Sequence, residues 1–140
     1  MKMNNGLLVR IFLMASLWPL SSQGADPTDI EDFRATGFCP DCDLAGANFD
    51  LESYGAAMLS GASLYGTSFL GVDLSNADLS NTNLGLAILE GANLSGANLS
   101  GADLSRAQLT EADLTGADLT DVVTDETTTC PDASSGPCTF

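Results

Sequence analysis

Ala92-Asn93-Leu94-Ser95-Gly96-Ala97-Asn98-Leu99-Ser100-Gly101-Ala102-Asp103-Leu104 is one five-residue unit written again and again, and the unit runs well beyond this stretch. From Leu44 to Leu119 every fifth residue is large and apolar without a miss. Phe49, Tyr54 and Phe69 stand among the first of them, and leucine fills the rest, with Leu64, Leu74, Leu79, Leu84, Leu94, Leu99, Leu104 and Leu114 as the expected core ladder. The residue two places earlier is usually small, as at Ala47, Ala57, Ala62, Ala77, Ala87 and Ala92. A helix cannot use this period, because five residues turn it by roughly 500° and the leucines would wander around its surface. A long strand fails as well, since an odd repeat sends successive leucines to opposite faces. What remains is a short extended piece, in which the alanine and the leucine point the same way, followed by a two-residue corner. Ser60-Gly61, Ser95-Gly96, Ser100-Gly101 and Thr115-Gly116 suit such corners.

The units Ala92-Asn93-Leu94-Ser95-Gly96 and Ala117-Asp118-Leu119-Thr120-Asp121 resemble the pentapeptide repeat proteins, whose repeat reads A(D/N)LXX. The resemblance covers more than half of the chain. It implies an all-β fold, a right-handed quadrilateral β-helix in which four repeats make one square coil of twenty residues. Coils then stack at about 4.8 Å. The outward residues just before each leucine agree with that register. At steps of twenty they read Asp43, Ser63, Asn83, Asp103 on one side, Ser53, Asp73, Asn93, Asp113 on a second, and Met58, Asp78, Asn98, Asp118 on a third. No aspartate stacks on another, whereas steps of fifteen or twenty-five would stack them. Two carboxylates one coil apart repel by nearly 1 kcal/mol even at about the dielectric of water.

Working outward from the repeats, residues 1–24 read as a secretory signal peptide. Lys2 and Arg10 bracket a basic start, Ile11 to Trp18 give a short apolar run, Pro19 breaks it, and Ser22-Gln23-Gly24 offers small residues at a cleavage site. The run is far short of the roughly 18 to 20 residues that span a bilayer, so a membrane anchor is the weaker reading. The expectation is an exported protein, periplasmic or secreted from a bacterium, and soluble once processed. Without the leader, Arg34 and Arg106 face all nineteen acidic residues, a net charge of −17. Nucleic acid and anionic lipid are disfavoured as partners by that balance.

Residues 25–38 read as an N-terminal cap. Thr28-Asp29-Ile30-Glu31 has the form of a capping box, Gly37 that of a helix stop, and Phe33 and Phe38 are expected to cover the open end of the first coil. The repeat solenoid is assigned to 39–124 and a tail closed by a disulfide to 125–140. Cys39-Pro40-Asp41-Cys42 lacks the βαβ setting of a redox motif and is expected to form a disulfide at the first corner. Cys130 and Cys138 enclose a turn-rich loop that a second disulfide can close. A single zinc site using all four thiols fails on distance. The 88 residues separating Cys42 from Cys130 make about four coils, or roughly 20 Å.

Departures from the repeat are the candidate functional positions. Glu52 occupies an inward slot, where an unpaired charge is costly. The expectation is that the first coil splays and lets Glu52 turn to water beside Arg34, with a ligand site as the lesser alternative. Leu51, Leu70, Leu86 and Ile88 are apolar where other units carry Ser, Asn, Asp or Gly, and Tyr65 lies close by in the register. These five form the candidate contact patch. The chain has no histidine, and no serine or tyrosine with an evident activating partner, so neither catalysis nor a cofactor or metal is expected. Outward acids interleaved with asparagine converge poorly on calcium. The leading reading is an exported, non-enzymatic module for protein contact or weak self-association. Some pentapeptide repeat proteins mimic duplex DNA and shield DNA gyrase, but they act in the cytoplasm, which the signal peptide opposes. Ice or polysaccharide binding by a flat face is a third reading, opposed by the lack of a continuous threonine ladder.

Overall fold

A computed structural model describes residues 24–140; the signal peptide reading of 1–24 falls almost wholly outside them. Each unit makes one extended step and one corner. The corner closes with a hydrogen bond from the small residue back to the carbonyl three residues earlier, as from Ala92 N to Leu89 O at 3.0 Å and Ala97 N to Leu94 O at 3.0 Å. Its second residue has positive φ, for example 67° at Gly96 and 57° at Asn76, while its first does not. That combination is a type II turn, which is why glycine and asparagine recur at this place.

The outward residue of each unit pairs in parallel with the one twenty positions later, from Phe38 with Met58 through to Asp103 with Val123. The pairings are single bridges, because two of every five residues are spent on a corner. Four bridges close each coil, giving it four sides. Both backbone groups of a side are used: Leu94 N donates to Asp113 O at 2.8 Å in the next coil, and Asn93 N donates to Val72 O at 2.9 Å in the previous one. Leucines and alanines fill the interior. Leu64, Leu74, Leu79, Leu84, Leu94, Leu99 and Leu104 are fully buried, each contributing about 1.5–3 kcal/mol of burial. Leu114 departs from the expected ladder and is only half-buried, as are Leu119 and Val122, because on their sides no further coil follows.

The first end is closed by one helix, α1 (Pro27–Thr36). Pro27 suits a first helical position, where the missing N–H is not needed. The helix therefore starts earlier than the capping-box reading placed it. Asp26, not Thr28, is the cap, accepting from Thr28 N at 2.8 Å and from Thr28 Oγ1 at 2.6 Å. Gly37 ends the helix at φ 66°, its N–H donating to Phe33 O at 2.7 Å. Phe33 is buried against Phe49 and Tyr54, with ring centroids 5.1 and 4.5 Å away, and Phe49 stacks on Phe69 at 5.4 Å. Phe38 does not join this plug. It stands at an outward ladder position paired with Met58 and is 54% exposed, since the alternation of the strand turns it away from the core.

At the second end the period slips. Gln108 pairs with Thr129, twenty-one residues on, and Thr129 then pairs antiparallel with Ser135. Disulfides join Cys39 to Cys42 and Cys130 to Cys138. Among the described residues no helix is long and apolar enough to cross a membrane.

Candidate functional site

The four sides differ in what they present. Three outward columns, those of Asp43, Ser53 and Asp78, are built of Asp, Asn and Ser through most of their length. Asparagine is interleaved with aspartate for a bonding reason as well as a charge reason. Asn93 Nδ2 donates to Asp73 Oδ1 at 3.2 Å, and Asn98 Nδ2 to Asp78 Oδ1 at 3.3 Å. Each aspartate also ties its own corner. The Ser75 backbone N–H holds the Asp73 carboxyl below the usual range, and the hydroxyls of Thr115 and Thr120 do the same for Asp113 and Asp118. Their charges are solvated and bonded locally.

The remaining column reads Asn48, Ser68, Ile88, Gln108, Thr129 and carries no charge. Ile88 is half-buried at its centre. Tyr65 and Leu86 occupy its leading corner and Leu51 and Leu70 its trailing corner, so the register sets all five candidate residues on one side of the solenoid and its two edges. Leu51 is 79% exposed, Tyr65 44%, Leu70 40% and Leu86 39%. Glycines form the floor beneath two of them. A Cβ at Gly71 would lie 2.9 Å from Leu51 Cδ2, and one at Gly85 would lie 3.0 Å from the Tyr65 ring. Leu51 and Leu70 are held together by the bond from Leu51 N to Leu70 O at 2.9 Å. Asp50 locks the same corner, accepting from Leu70 N at 3.0 Å, from Asn48 Nδ2 at 2.9 Å and from the Ser68 hydroxyl. The Ser68 bond, with those of Leu70 and Asn48, keeps the Asp50 carboxyl low against the opposing effect of burial.

Leu51 and Leu86 both have φ 59°. That left-handed conformation is one that glycine or asparagine takes easily and leucine does not, at a cost of about 1 kcal/mol or more. Sequence reading found these residues by their polarity but had no view of their backbone. It also missed the buried hydroxyls of Thr67 and Thr82, which donate to Leu44 O at 2.8 Å and Leu79 O at 2.7 Å and so fit an inward slot given mostly to alanine.

Glu52 lies at the first end. Arg34 Nη2 stands 3.5 Å from its carboxylate and also donates to Asn48 O at 2.7 Å, and the Tyr54 hydroxyl donates to Glu52. Burial, then the Glu52 bond, pushes the Tyr54 phenol up to about 12. A phenol so raised is a poor nucleophile or base near neutrality, and the trio reads as a brace between helix and first coil.

The family model for pentapeptide repeats matches residues 56–85 and 87–123 in eight copies, and the gap between the two segments is Leu86 alone. Among solved structures, a pentapeptide repeat protein from the thylakoid lumen of Arabidopsis thaliana is similar at 26% identity and TM-score 0.60, over 66% of this chain and 61% of that one. HetL, a pentapeptide repeat protein involved in heterocyst differentiation regulation from Nostoc sp. strain PCC 7120, is 31% identical over 70% of this chain and 51% of its own, at TM-score 0.49. The chain thus spans about half to three fifths of the length of these two relatives. No curated protein matches it by sequence. The thylakoid lumen structure implies a right-handed β-helix solenoid, and the chain belongs to the pentapeptide repeat family.

Proposed function

We propose that this protein is an exported, non-enzymatic solenoid that binds a protein partner through the side centred on Ile88. The observation that carries the reading is the pair of leucines, Leu51 and Leu86, exposed in left-handed corners where the repeat elsewhere favours Gly or Asn. Ala56, Arg106 and Glu111 take the same left-handed corner, so what marks Leu51 and Leu86 is the large apolar side chain left exposed there. Burying apolar surface releases about 25 cal/mol per Å², so a few hundred Å² supports association of moderate strength. Export is supported by the composition of residues 1–24 and by the two cysteine pairs, which belong to an oxidising compartment. The similar thylakoid lumen structure also comes from a compartment outside the cytosol.

Charge selects the occupant. The trailing edge of the patch carries Asp50, Glu90 and Glu111, and the processed chain is strongly acidic, so a second copy is repelled. A partner with an apolar patch beside basic side chains fits better. Sedimentation of the purified protein at low and high salt, alone and with proteins recovered from its own compartment, tests this. A complex that weakens with salt and is lost in the Leu70→Ser, Ile88→Ser double variant is expected. Self-association that strengthens with salt would transfer the surface to a dimer, and a monomer with no complex in any condition would remove it.

A further inference from the structure

The Cys39–Cys42 disulfide has a neighbour that a plain clamp does not need. Asp29, in the first turn of α1, brings a carboxylate oxygen to a point where it and the two sulfurs all lie within 4.8 Å of one another. That carboxylate is fixed rather than free, because its Oδ2 accepts from Asp43 N at 2.9 Å. The helix itself is tied to the coil beside it through Ala25 N to Ala45 O at 2.8 Å and Asp26 N to Asp43 O at 2.9 Å. Two sulfurs three residues apart and a carboxylate from a separate element, held by independent hydrogen bonds, make a set of ligands.

We infer that the reduced form of this corner is a zinc site, with Cys39, Cys42 and Asp29 as three ligands and the fourth position open to water. A tetrahedral zinc with bonds of about 2.3 Å to sulfur and about 2.0 Å to oxygen sets its ligand atoms roughly 3.5–3.8 Å apart. The disulfide sulfurs therefore separate by under about 2 Å when they take up the metal. Side-chain rotation supplies that, since the Cα atoms are already 5.5 Å apart. The carboxylate oxygen, already within 4.8 Å of both sulfurs, closes by at most about 1 Å. Softness agrees with the assignment, because thiolates with a carboxylate suit zinc rather than calcium or magnesium. The acidic surface of the whole chain raises the local concentration of any cation.

The reaction balances. A dithiol reductant gives two electrons and two protons to the Cys39–Cys42 bond and becomes a disulfide itself, and the zinc ion then displaces the two thiol protons. Oxidation by a disulfide partner reverses both steps and releases the metal. The corner holds either a covalent bond or an ion, and the compartment's thiol balance selects which.

The test uses the protein with Cys130→Ser and Cys138→Ser, so that only the first pair supplies thiols. Cobalt(II) is titrated into the phosphine-reduced protein and then displaced with zinc. The expected result is one cobalt per chain with a charge-transfer absorption of two sulfur ligands, bleached by zinc. Asp29→Asn should weaken cobalt affinity at least tenfold, and zinc should raise the melting temperature of the reduced protein but not of the oxidised one. Absence of the absorption, its persistence in a Cys39→Ser, Cys42→Ser variant, or an unchanged affinity in Asp29→Asn would overturn the site. The last measurement also separates a built site from a dithiol binding metal on a loosened cap.

Discussion

At its first end the solenoid is sealed by residues outside the repeat, whereas at its last end the repeat simply runs on until the sheet has no further neighbour. Phe33 drops from α1 onto Phe49 and Tyr54, Arg34 reaches over the Phe49 ring at 5.2 Å, and the Cys39–Cys42 bridge pins the corner below. At the other end the tail pairs with one side through Thr129 on Gln108, Ser135 pairing in turn with Thr129, and Leu114 and Leu119 stay half-exposed. The five-residue unit propagates itself because each side satisfies the backbone of the next. It has no means of stopping, so closure depends on residues that break the pattern.

The middle coils are the reference for both ends, and breaking them gives the largest effect. Leu94→Asp puts a charge into a fully buried column and is expected to cost at least about 3 kcal/mol, enough to abolish a cooperative melt. Asn93→Ser beside it forfeits only part-buried bonds at the surface and is expected to cost about 1 kcal/mol or less. Calorimetry of the two variants checks the inward and outward assignment. Next comes the contrast between the ends. Phe33→Ala removes the buried plug and is expected to destabilise by about 3–5 kcal/mol, while Leu114→Ala, half-exposed, falls below the usual range of about 2–5 kcal/mol for a core leucine. Equal losses in denaturant titrations would erase the distinction between a sealed end and an open one.

The cysteine pairs come third. Intact mass of the oxidised protein is expected to fall short of the reduced protein by four hydrogens, with mapping to Cys39–Cys42 and Cys130–Cys138. Opening the second loop by Cys130→Ser and Cys138→Ser is expected to cost about 2–3 kcal/mol, and more at the last end than elsewhere, since little else closes it. The Arg34, Glu52 and Tyr54 brace gives a smaller, pH-dependent effect. With its phenol raised to about 12 in the folded state, Tyr54 contributes stability that is fully present below its ordinary value of about 10 and is lost as pH rises through the raised one. Melting temperatures between pH 10 and 12 should fall less steeply in Tyr54→Phe, with a difference on the order of 1 kcal/mol. The smallest effect is at the corners of the contact patch. Leu86→Asn keeps the turn and relieves its strain, so stability is expected to hold or rise by up to about 1 kcal/mol while partner binding falls.

The step and corner of each unit were legible in the sequence because burial imposes their period directly: an alanine and a leucine two apart can share an interior only if the next two residues turn, while four units to a coil followed from the resemblance to the pentapeptide repeat proteins. The disulfide partners followed from spacing within that register, and the approach of Glu52 to Arg34 from the cost of an unpaired charge. What escaped depended on contacts between distant segments or on backbone angles. Asp26 caps α1 because Pro27 fits the first helical turn, and Phe38 points outward because the ladder's alternation reaches one unit before the leucines begin. Leu114 belongs to the pattern but not to the core, since burial there needs a coil that does not follow. Asp29 beside the cysteines is set by how the helix folds back, and no spacing announces that.

The claim that the Ile88 side is a contact surface is tested most directly by photocrosslinking in cells that make the protein, from position 88 and from position 98 on a polar side of the same coil. One discrete adduct is expected from position 88 that recurs from position 70, disappears with Leu86→Asn, and is absent from position 98. Adducts of equal yield from both sides, or none from position 88 while the protein is folded and exported, would contradict it.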